Sequence, residues 1–296
     1  MNKKSISFEQ YFNADEKKYI KALMETSLDE DIGSGDVTTQ ATIPGKTVAT
    51  GRLLAKQEGV VCGLSLISII FKLRTRKAQI KLLAKDGDFI KPGMVLAEIT
   101  SPAAALLEVE RVVLNYIQRL SGIATLTRQY VDLVKDTHAA ILDTRKTTPL
   151  LRFLEKYAVA CGGGTNHRFG LYDQVLIKDN HIDVAGGIDE AIRRVRNKSP
   201  EMMIEVEART FDEVKRAVQM LPDIILLDNM TTSEMKKCVQ YVDGRCQLEA
   251  SGGVNLKTVH KIALTGVNRI SIGALTHSAP SVDLSLKVVM KPVKNG

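Results

Sequence analysis

The chain has no tryptophan, and its seven tyrosines and seven phenylalanines bring aromatic content to only 5% of 296 residues. Platforms for stacking nucleic-acid bases are correspondingly scarce. No apolar run is long enough to cross a bilayer, and the opening MNKKSISFEQYFNADEKK lacks the hydrophobic core of a signal peptide. The expectation is a cytoplasmic protein with no membrane partner. The four cysteines (Cys62, Cys161, Cys238 and Cys246) fall in no CxxC pair and no zinc-ligand spacing, so no residues are assigned to a resident metal and a reduced compartment fits best. Basic residues exceed acidic ones, 41 against 34, for a formal charge of +7. They form no single block, however, and no helix-turn-helix or RNA-binding signature accompanies them, so a nucleic-acid partner is not expected. Basicity drawn into a site for a small anion explains the excess better.

What the chain does contain is concentrated between Asp143 and His181, DTRKTTPLLRFLEKYAVACGGGTNHRFGLYDQVLIKDNH. A short apolar segment, Ala139 to Leu142, leads directly into Thr144, Arg145 and Lys146. A helix-like piece follows, with Pro149 suited to its first turn and Gly162 to Gly164 past its end. Next come Asn166, His167 and Arg168, then a second apolar segment, Val175 to Ile177, ending in Lys178. If the two strand-like segments are neighbours in one sheet, Arg145, Lys146, His167, Arg168 and Lys178 converge. Like charges repel and desolvation adds to the cost, so such a cluster calls for a compact, multiply charged anion.

Before this stretch, residues 16–33 read as an amphipathic helix ending at Gly33, and residues 47–99 are mostly strand-like with a helical interruption from Leu64 to Phe71. The segment LLAKDGDFIKPGMVLAEI is similar to half of a lipoyl-carrier fold but has no lysine at a hairpin tip, which leaves a structural role. Residues 108–135 are helical, with Val109, Val112, Val113, Tyr116, Ile117 and Leu120 on one face and Arg111 off it. Gly122 either permits close packing or marks a break. From residue 139 onward, strand-like segments (139–142, 174–178, 202–207, 224–228, 246–251, 269–273) alternate with helical ones. Thr210 with Glu213 and Thr231 with Glu234 read as capping boxes, and Asn255 as an N-cap. Alternating βα units imply a parallel sheet, either a TIM-type barrel, incomplete, or an open doubly wound sheet.

In an α/β barrel the chemistry lies at the C-terminal strand ends. Here those ends carry Thr144-Arg145-Lys146, Lys178, Glu205 and Glu207, Asp228-Asn229, Ser251-Gly252-Gly253, and Gly273-Ala274. The last two read as a phosphate cradle. Glu207 and Asp228, between the cations and that cradle, suit sugar hydroxyls, held directly or through Mg²⁺, and could stabilise positive charge on a sugar ring. The pattern describes a tripartite ligand: an acid-bearing ring, a ribose and a phosphate.

The stretches EDIGSGDVTT, ERVVLNYIQRLSGIAT, DTRKTTPLLRFLEKYAVACGGGTNHR, LIKDNH, IEVEA, LLDN, EASGGV and ISIGALTH, spread over about residues 28 to 280, resemble the quinolinate phosphoribosyltransferases. The resemblance implies a β-rich α/β sandwich domain over 1–115, onto which a tail of 280–296 packs back. It further implies an incomplete TIM-like α/β barrel over 116–280. The implied activity joins quinolinate to phosphoribosyl pyrophosphate, giving nicotinate mononucleotide, CO₂ and diphosphate in de novo NAD biosynthesis. Mg²⁺ would be bound mainly through phosphoribosyl pyrophosphate. The assembly implied is a homodimer or higher even oligomer with Arg111 donated across the interface. Carried over by motif, Arg111, Arg145, His167, Arg168 and Lys178 bind the quinolinate carboxylates, Lys146 faces the diphosphate, and Thr144 is a further substrate-binding residue. Glu207 and Asp228 take the ribose or Mg²⁺ positions, and Ser251, Gly252, Gly253, Gly273 and Ala274 the phosphate loop. Lys146, Glu207 and Asp228 are the expected catalytic groups. Ala208 is a mild departure, standing where the family often carries valine or cysteine.

Overall fold

The structure, a computed structural model, describes residues 6–289. Residues 1–5 of the expected N-terminal domain and 290–296 of the expected returning tail lie outside the described residues. The chain divides into two compact units: one comprises the chain to Leu126, Thr148–Gly163 and the stretch from Ala279, the other Thr127–Thr147 and Gly164–Ser278.

The first unit contains β1 (Val48–Ala55), β2 (Gly59–Val60), β3 (Gln79–Leu82), β4 (Phe89–Ile90) and β5 (Val95–Pro102). The second contains β6 (Ala140–Leu142), β7 (Val175–Ile177), β8 (Ile204–Ala208), β9 (Ile224–Asp228), β10 (Gln247–Ser251) and β11 (Arg269–Ser271). The chain then returns as β12 (Leu284–Val289) to pair antiparallel with β1, completing a sheet of order β12-β1-β5-β3. Side chains in β1 alternate as a half-buried strand requires: Ala49, Leu53 and Ala55 are buried, while Arg52 on the other face pairs with Glu98 at 2.9 Å. Gly51 shares the buried face because a Cβ there would come within 3.1 Å of Leu106 and 3.2 Å of Leu286.

Leu106 belongs to a helix, Ala103–Leu133, that runs unbroken for 31 residues. The boundary expected at 115/116 falls inside it. Its apolar stripe (Leu106, Val109, Val113, Ile117, Leu120) is buried, and no proline interrupts it. Gly122 is a close-packing position rather than a break, since a Cβ on it would lie 2.0 Å from the carbonyl oxygen of Pro280. The N-terminal helix Ala14–Ile32 starts at a reciprocal capping box between Asn13 and Glu16. Just before it, Phe8 and Phe12 pack against the ring of Tyr157.

Tyr157 lies on the helix Arg152–Gly162, which begins later than expected. Pro149 sits in a turn ahead of it, and Leu150 adopts a left-handed φ of 67°. Glu155 draws this turn back onto the helix by accepting from the Thr148 N–H (3.1 Å) and hydroxyl (2.8 Å). Likewise the helix after β10 starts at Val259, and Asn255 closes the preceding turn by accepting from the Lys257 N–H. Thr231 and Glu234 form the expected reciprocal box. Thr210 accepts from Glu213, but the Glu213 carboxylate turns to the Arg209 N–H.

In the second unit the six strands form one parallel sheet in the order β6-β11-β10-β9-β8-β7, an α/β barrel order with two strands fewer than eight. Beside β6, Thr165 makes an isolated parallel bridge to Leu142. The glycine-rich turn thus delivers Asn166, His167 and Arg168 to the C-terminal end of β6.

The close approach at Gly122 is testable. Replacing Gly122 by Ala forces a backbone shift, and we expect a loss of about 1–3 kcal/mol in denaturant-monitored stability. An unchanged midpoint would mean that the tail does not pass so near the helix.

Candidate active site

Strand register explains which side chains meet. Across the parallel sheet, Glu207 pairs with Leu226, Leu226 with Glu249, and Glu249 with Arg269, so these four project from one face. One step nearer the C-terminal ends, Asp228 pairs with Ser251. A cavity of about 410 Å³ opens there. Its basic wall is Thr144, Arg145, Lys146, His167, Arg168 and Lys178; its acidic wall is Glu207, Asp228 and Asp179; Ser251 and Ser271 close the far side.

Asp143, the residue after β6, organises the basic wall from below. It is fully buried and accepts from the His167 N–H at 2.9 Å and the Asn166 side-chain amide at 2.6 Å. Those bonds hold the turn that carries His167 and Arg168. The Arg168 guanidinium donates to the Gln174 carbonyl at 3.2 Å, while the Gln174 amide donates to Glu205 at 2.9 Å. Burial, and then the positive charge of Arg145, lower the pKa of Arg168. Two guanidiniums close enough to influence each other therefore line the cavity, an arrangement suited to a carboxylate.

His167 sits deeper. Its Nε2 is 3.0 Å from Glu205 and 3.4 Å from Glu249, both glutamates being fully buried. Burial alone pulls the imidazole pKa down, but the hydrogen bonds and charges of the two carboxylates outweigh it and push it up to about 9. The Arg168 N–H lies 2.7 Å from Nδ1, a contact that favours a neutral ring. One backbone dipole is weaker than two adjacent carboxylates, and the imidazolium prevails. With both ring nitrogens turned to protein atoms, His167 offers the cavity charge rather than a free donor.

On the acidic wall, burial first, then Asp228 and Asp179, raise the Glu207 pKa. Crowded carboxylates of this kind are hard oxygen donors that a divalent cation or sugar hydroxyls would relieve. Asp228 is held by the side-chain amide of Asn229 at 2.9 Å. Asn229 has a left-handed φ of 54°, donates its N–H to the Ser251 carbonyl at 2.9 Å, and lies so close to Gly252 that a Cβ there would be 2.2 Å from Asn229 Oδ1. Gly252 and Gly253 both have positive φ, 93° and 61°. Gly273, at the start of the short helix Ala274–His277, abuts the Lys146 stem, and Thr276 donates to the Lys146 carbonyl at 2.7 Å.

Of the residues singled out in the sequence, Thr144, Arg145, Lys146, His167, Arg168, Lys178, Glu207, Asp228 and Ser251 line this cavity together. Gly252, Gly253, Gly273 and Ala274 follow directly on its strand ends without lining it. Arg111 is an exposed residue of the helix Ala103–Leu133 and is not part of the lining. Leu176, Asp179, Asn180, Leu226 and Ser271 line the cavity unanticipated. Asp179 follows Lys178 directly and could have been found from its place at a strand end; the leucines carry no local mark that separates them from core residues.

Known proteins resemble this chain in sequence and fold. The family description "Quinolinate phosphoribosyl transferase, N-terminal domain" matches residues 36–121, and its C-terminal counterpart matches 123–287. A probable nicotinate-nucleotide pyrophosphorylase (carboxylating) of Bacillus subtilis is 46% identical over 272 residues, 92% of this chain and 94% of that protein. The chloroplastic nicotinate-nucleotide pyrophosphorylase (carboxylating) of Arabidopsis thaliana is 43% identical over 91% of this chain and 82% of its own length. Among solved structures, NadC from Streptococcus pyogenes superposes with a TM-score of 0.89 at 38% identity, covering 92% of this chain and 97% of that one.

Asp143 supplies the local test. Asp143→Ala should lower unfolding free energy by about 1.5–3 kcal/mol, the range for one hydrogen bond to a charged group, because two donors lose a buried charged acceptor. Thermal or urea denaturation measures it; a change within about 0.5 kcal/mol would show that the turn is held by other contacts.

Proposed function

The chain belongs to the quinolinate phosphoribosyltransferase family, and from that premise we propose how its cavity carries the reaction. The reaction converts quinolinate and phosphoribosyl pyrophosphate to nicotinate mononucleotide, CO₂ and diphosphate, a step of de novo NAD biosynthesis. The observation that supports our assignment is that the cations Arg145, Lys146, His167, Arg168 and Lys178 line one cavity together with the carboxylates of Glu207 and Asp228.

In this reading Arg145, Arg168 and Lys178 grip the two carboxylates of quinolinate, with His167 adding positive charge beneath them and Thr144 at the rim. The ribose of phosphoribosyl pyrophosphate lies against Glu207 and Asp228, and its 5-phosphate rests on Ser251, Gly252, Gly253, Gly273 and Ala274. Lys146 faces the diphosphate. The ring nitrogen attacks C1 of the ribose, the C–N bond forms, and diphosphate leaves with the electron pair of the broken C–O bond. Positive charge developing on the sugar is stabilised by Glu207 and Asp228, while Lys146 neutralises the departing group. When the C2–carboxylate bond then breaks, CO₂ leaves, the bonding pair stays on C2 as a carbanion stabilised by the adjacent positive ring nitrogen, and C2 takes a proton. Substrate positioning and charge suffice, and no covalent nucleophile is required.

Mg²⁺ fits the acidic wall, where Glu207 and Asp228 present crowded oxygen donors; bound mainly through phosphoribosyl pyrophosphate, it would supply charge neutralisation of the leaving group. We also propose a homodimer or higher even oligomer in which Arg111 enters the partner's cavity, a reading supported by its exposure on the helix. A cytoplasmic setting is supported by four free thiols. Among the described residues, no helix is long and apolar enough to cross a membrane.

Release of CO₂ and nicotinate mononucleotide on mixing quinolinate with phosphoribosyl pyrophosphate tests the activity. Arg168→Ala should weaken quinolinate binding by tenfold or more, at about 1.5–3 kcal/mol for each lost charge-assisted bond; unchanged affinity would refute the carboxylate assignment. Donation of Arg111 is tested by mixing inactive Arg111→Ala and Lys146→Ala proteins. Mixed dimers regain one intact site, so about a quarter of full activity should return after subunit exchange, and none if each site uses its own Arg111.

A further inference from the structure

Beneath the basic wall lies a charge array for which the mechanism above has no use. Glu205 on β8 and Glu249 on β10 are fully buried carboxylates. One oxygen of each is engaged: Glu205 Oε2 accepts from Gln174 at 2.9 Å and meets His167 at 3.0 Å, and Glu249 Oε2 accepts from Arg269 at 2.7 Å. The other oxygen of each, Oε1, is buried without a hydrogen-bond partner, although Glu249 Oε1 lies 3.4 Å from His167 Nε2. Partly satisfied buried carboxylates are costly, and an apolar pair would pack at less expense. Strand register makes the array deliberate: Glu249 is the direct cross-strand partner of Arg269. One glutamate is balanced by Arg269, while the imidazole of His167 stands between both glutamates and the cavity.

We infer that Glu205 and Glu249 are positioning residues for quinolinate binding: from behind, they hold His167 as an imidazolium and provide the negative charge that keeps the basic wall assembled before substrate arrives. Charge accounting supports this. The carboxylates beside the imidazole are Glu205 from β8 and Glu249 from β10; Arg269 from β11 pairs with Glu249, and Arg168, itself near Arg145, directly follows His167. Removing one glutamate leaves the imidazole Nε2 with a single carboxylate beside it. Burial would then drive His167, the strongest acid among these cations and so the first to lose its proton, towards the neutral form. Arginine cannot respond in this way, because it does not deprotonate in proteins. Asp143 contributes bonds to the backbone of the turn rather than to the ring.

The inference rests on the carboxylate-binding reading of the cavity. Selective ¹⁵N-histidine labelling of the intact protein follows the His167 ring, identified by its loss in His167→Asn. The ring should titrate near 9. In Glu249→Gln and in Glu205→Gln it should fall towards the ordinary value of about 6.5. Quinolinate affinity and kcat/KM should share this dependence, being high while the ring is charged and lost as pH rises through its pKa. At pH 8 each variant should then bind quinolinate about tenfold more weakly, with the KM for phosphoribosyl pyrophosphate little changed. Glu205→Gln, which leaves the Arg269 pair intact, serves where Glu249→Gln does not fold, and the wild-type titration needs no variant.

A His167 ring that is neutral at pH 7 in the wild type, or one whose titration moves in neither variant, overturns the inference. So does a ring that shifts while the pH dependence of quinolinate binding stays put. In each case Arg168→Ala still reports separately on the carboxylate pocket, which fails only if that variant binds quinolinate normally.

Discussion

Gathering Arg145, Lys146, His167, Arg168 and Lys178 around one cavity sets the main electrostatic constraint on this protein. Mutual repulsion at such range is several kcal/mol per pair unless opposite charge is close. The second unit supplies that charge at two depths. Glu205 and Glu249 lie behind the imidazole, where water does not reach, and Glu207 and Asp228 stand across the cavity. The rear pair offsets the cost of assembling the cations, while the front pair is available to ligand. In the proposed reading, a dianionic ring would enter a site whose cations are already balanced from behind.

The parallel sheet makes this layering possible. Side chains alternate along each strand, so Glu205 and Glu207 project from the same face at successive levels, and register then aligns Glu207, Leu226, Glu249 and Arg269 in one row. Apolar and charged positions interleave: Leu176 and Leu226 form the cavity's apolar lining, against which a flat aromatic ring can rest, while charge surrounds its edge. A face of this kind cannot slip by one residue without sending every charged group into the surrounding helices. The structural requirement for a unique register and the chemical requirement for ordered charge therefore coincide.

Much of the arrangement was legible in the sequence because its cations lie within one stretch and close to strand ends. Lys178 immediately follows an apolar run, and Asp228 ends another, so the barrel rule alone assigns both to the mouth. Glu249 and Arg269 were not legible in the same way: they are separated by a whole helix and meet only through strand pairing. Asp143 was visible as the start of the motif, but its backbone-holding role depends on the return of Thr165 beside Leu142, a contact across the glycine-rich turn. The part played by Gly122 within the helix was not legible for a different reason. Local pattern identifies an apolar stripe well, but tolerates Gly122 equally as a break or as a point of close approach, and only the Pro280 carbonyl decides between them.

The phosphate side shows a second form of preorganisation, made from backbone rather than charge. Asn229 adopts a left-handed conformation that costs a non-glycine residue about 1 kcal/mol or more, and such strain persists only where surrounding contacts overdetermine it. Here they do: its N–H bonds to Ser251, its amide holds Asp228, and its side chain fills the space that a Cβ on Gly252 would need. The carboxylate end of β9 and the glycine turn after β10 are consequently one rigid piece. In the proposed reading, a sugar hydroxyl at the first and a phosphate at the second would be held at a fixed separation. Glycine at 252 is thus required twice, once for its φ of 93° and once for the room it leaves to Asn229. That double requirement fixes the spacing between Asp228 and the turn, the spacing on which the proposed ribose phosphate site depends.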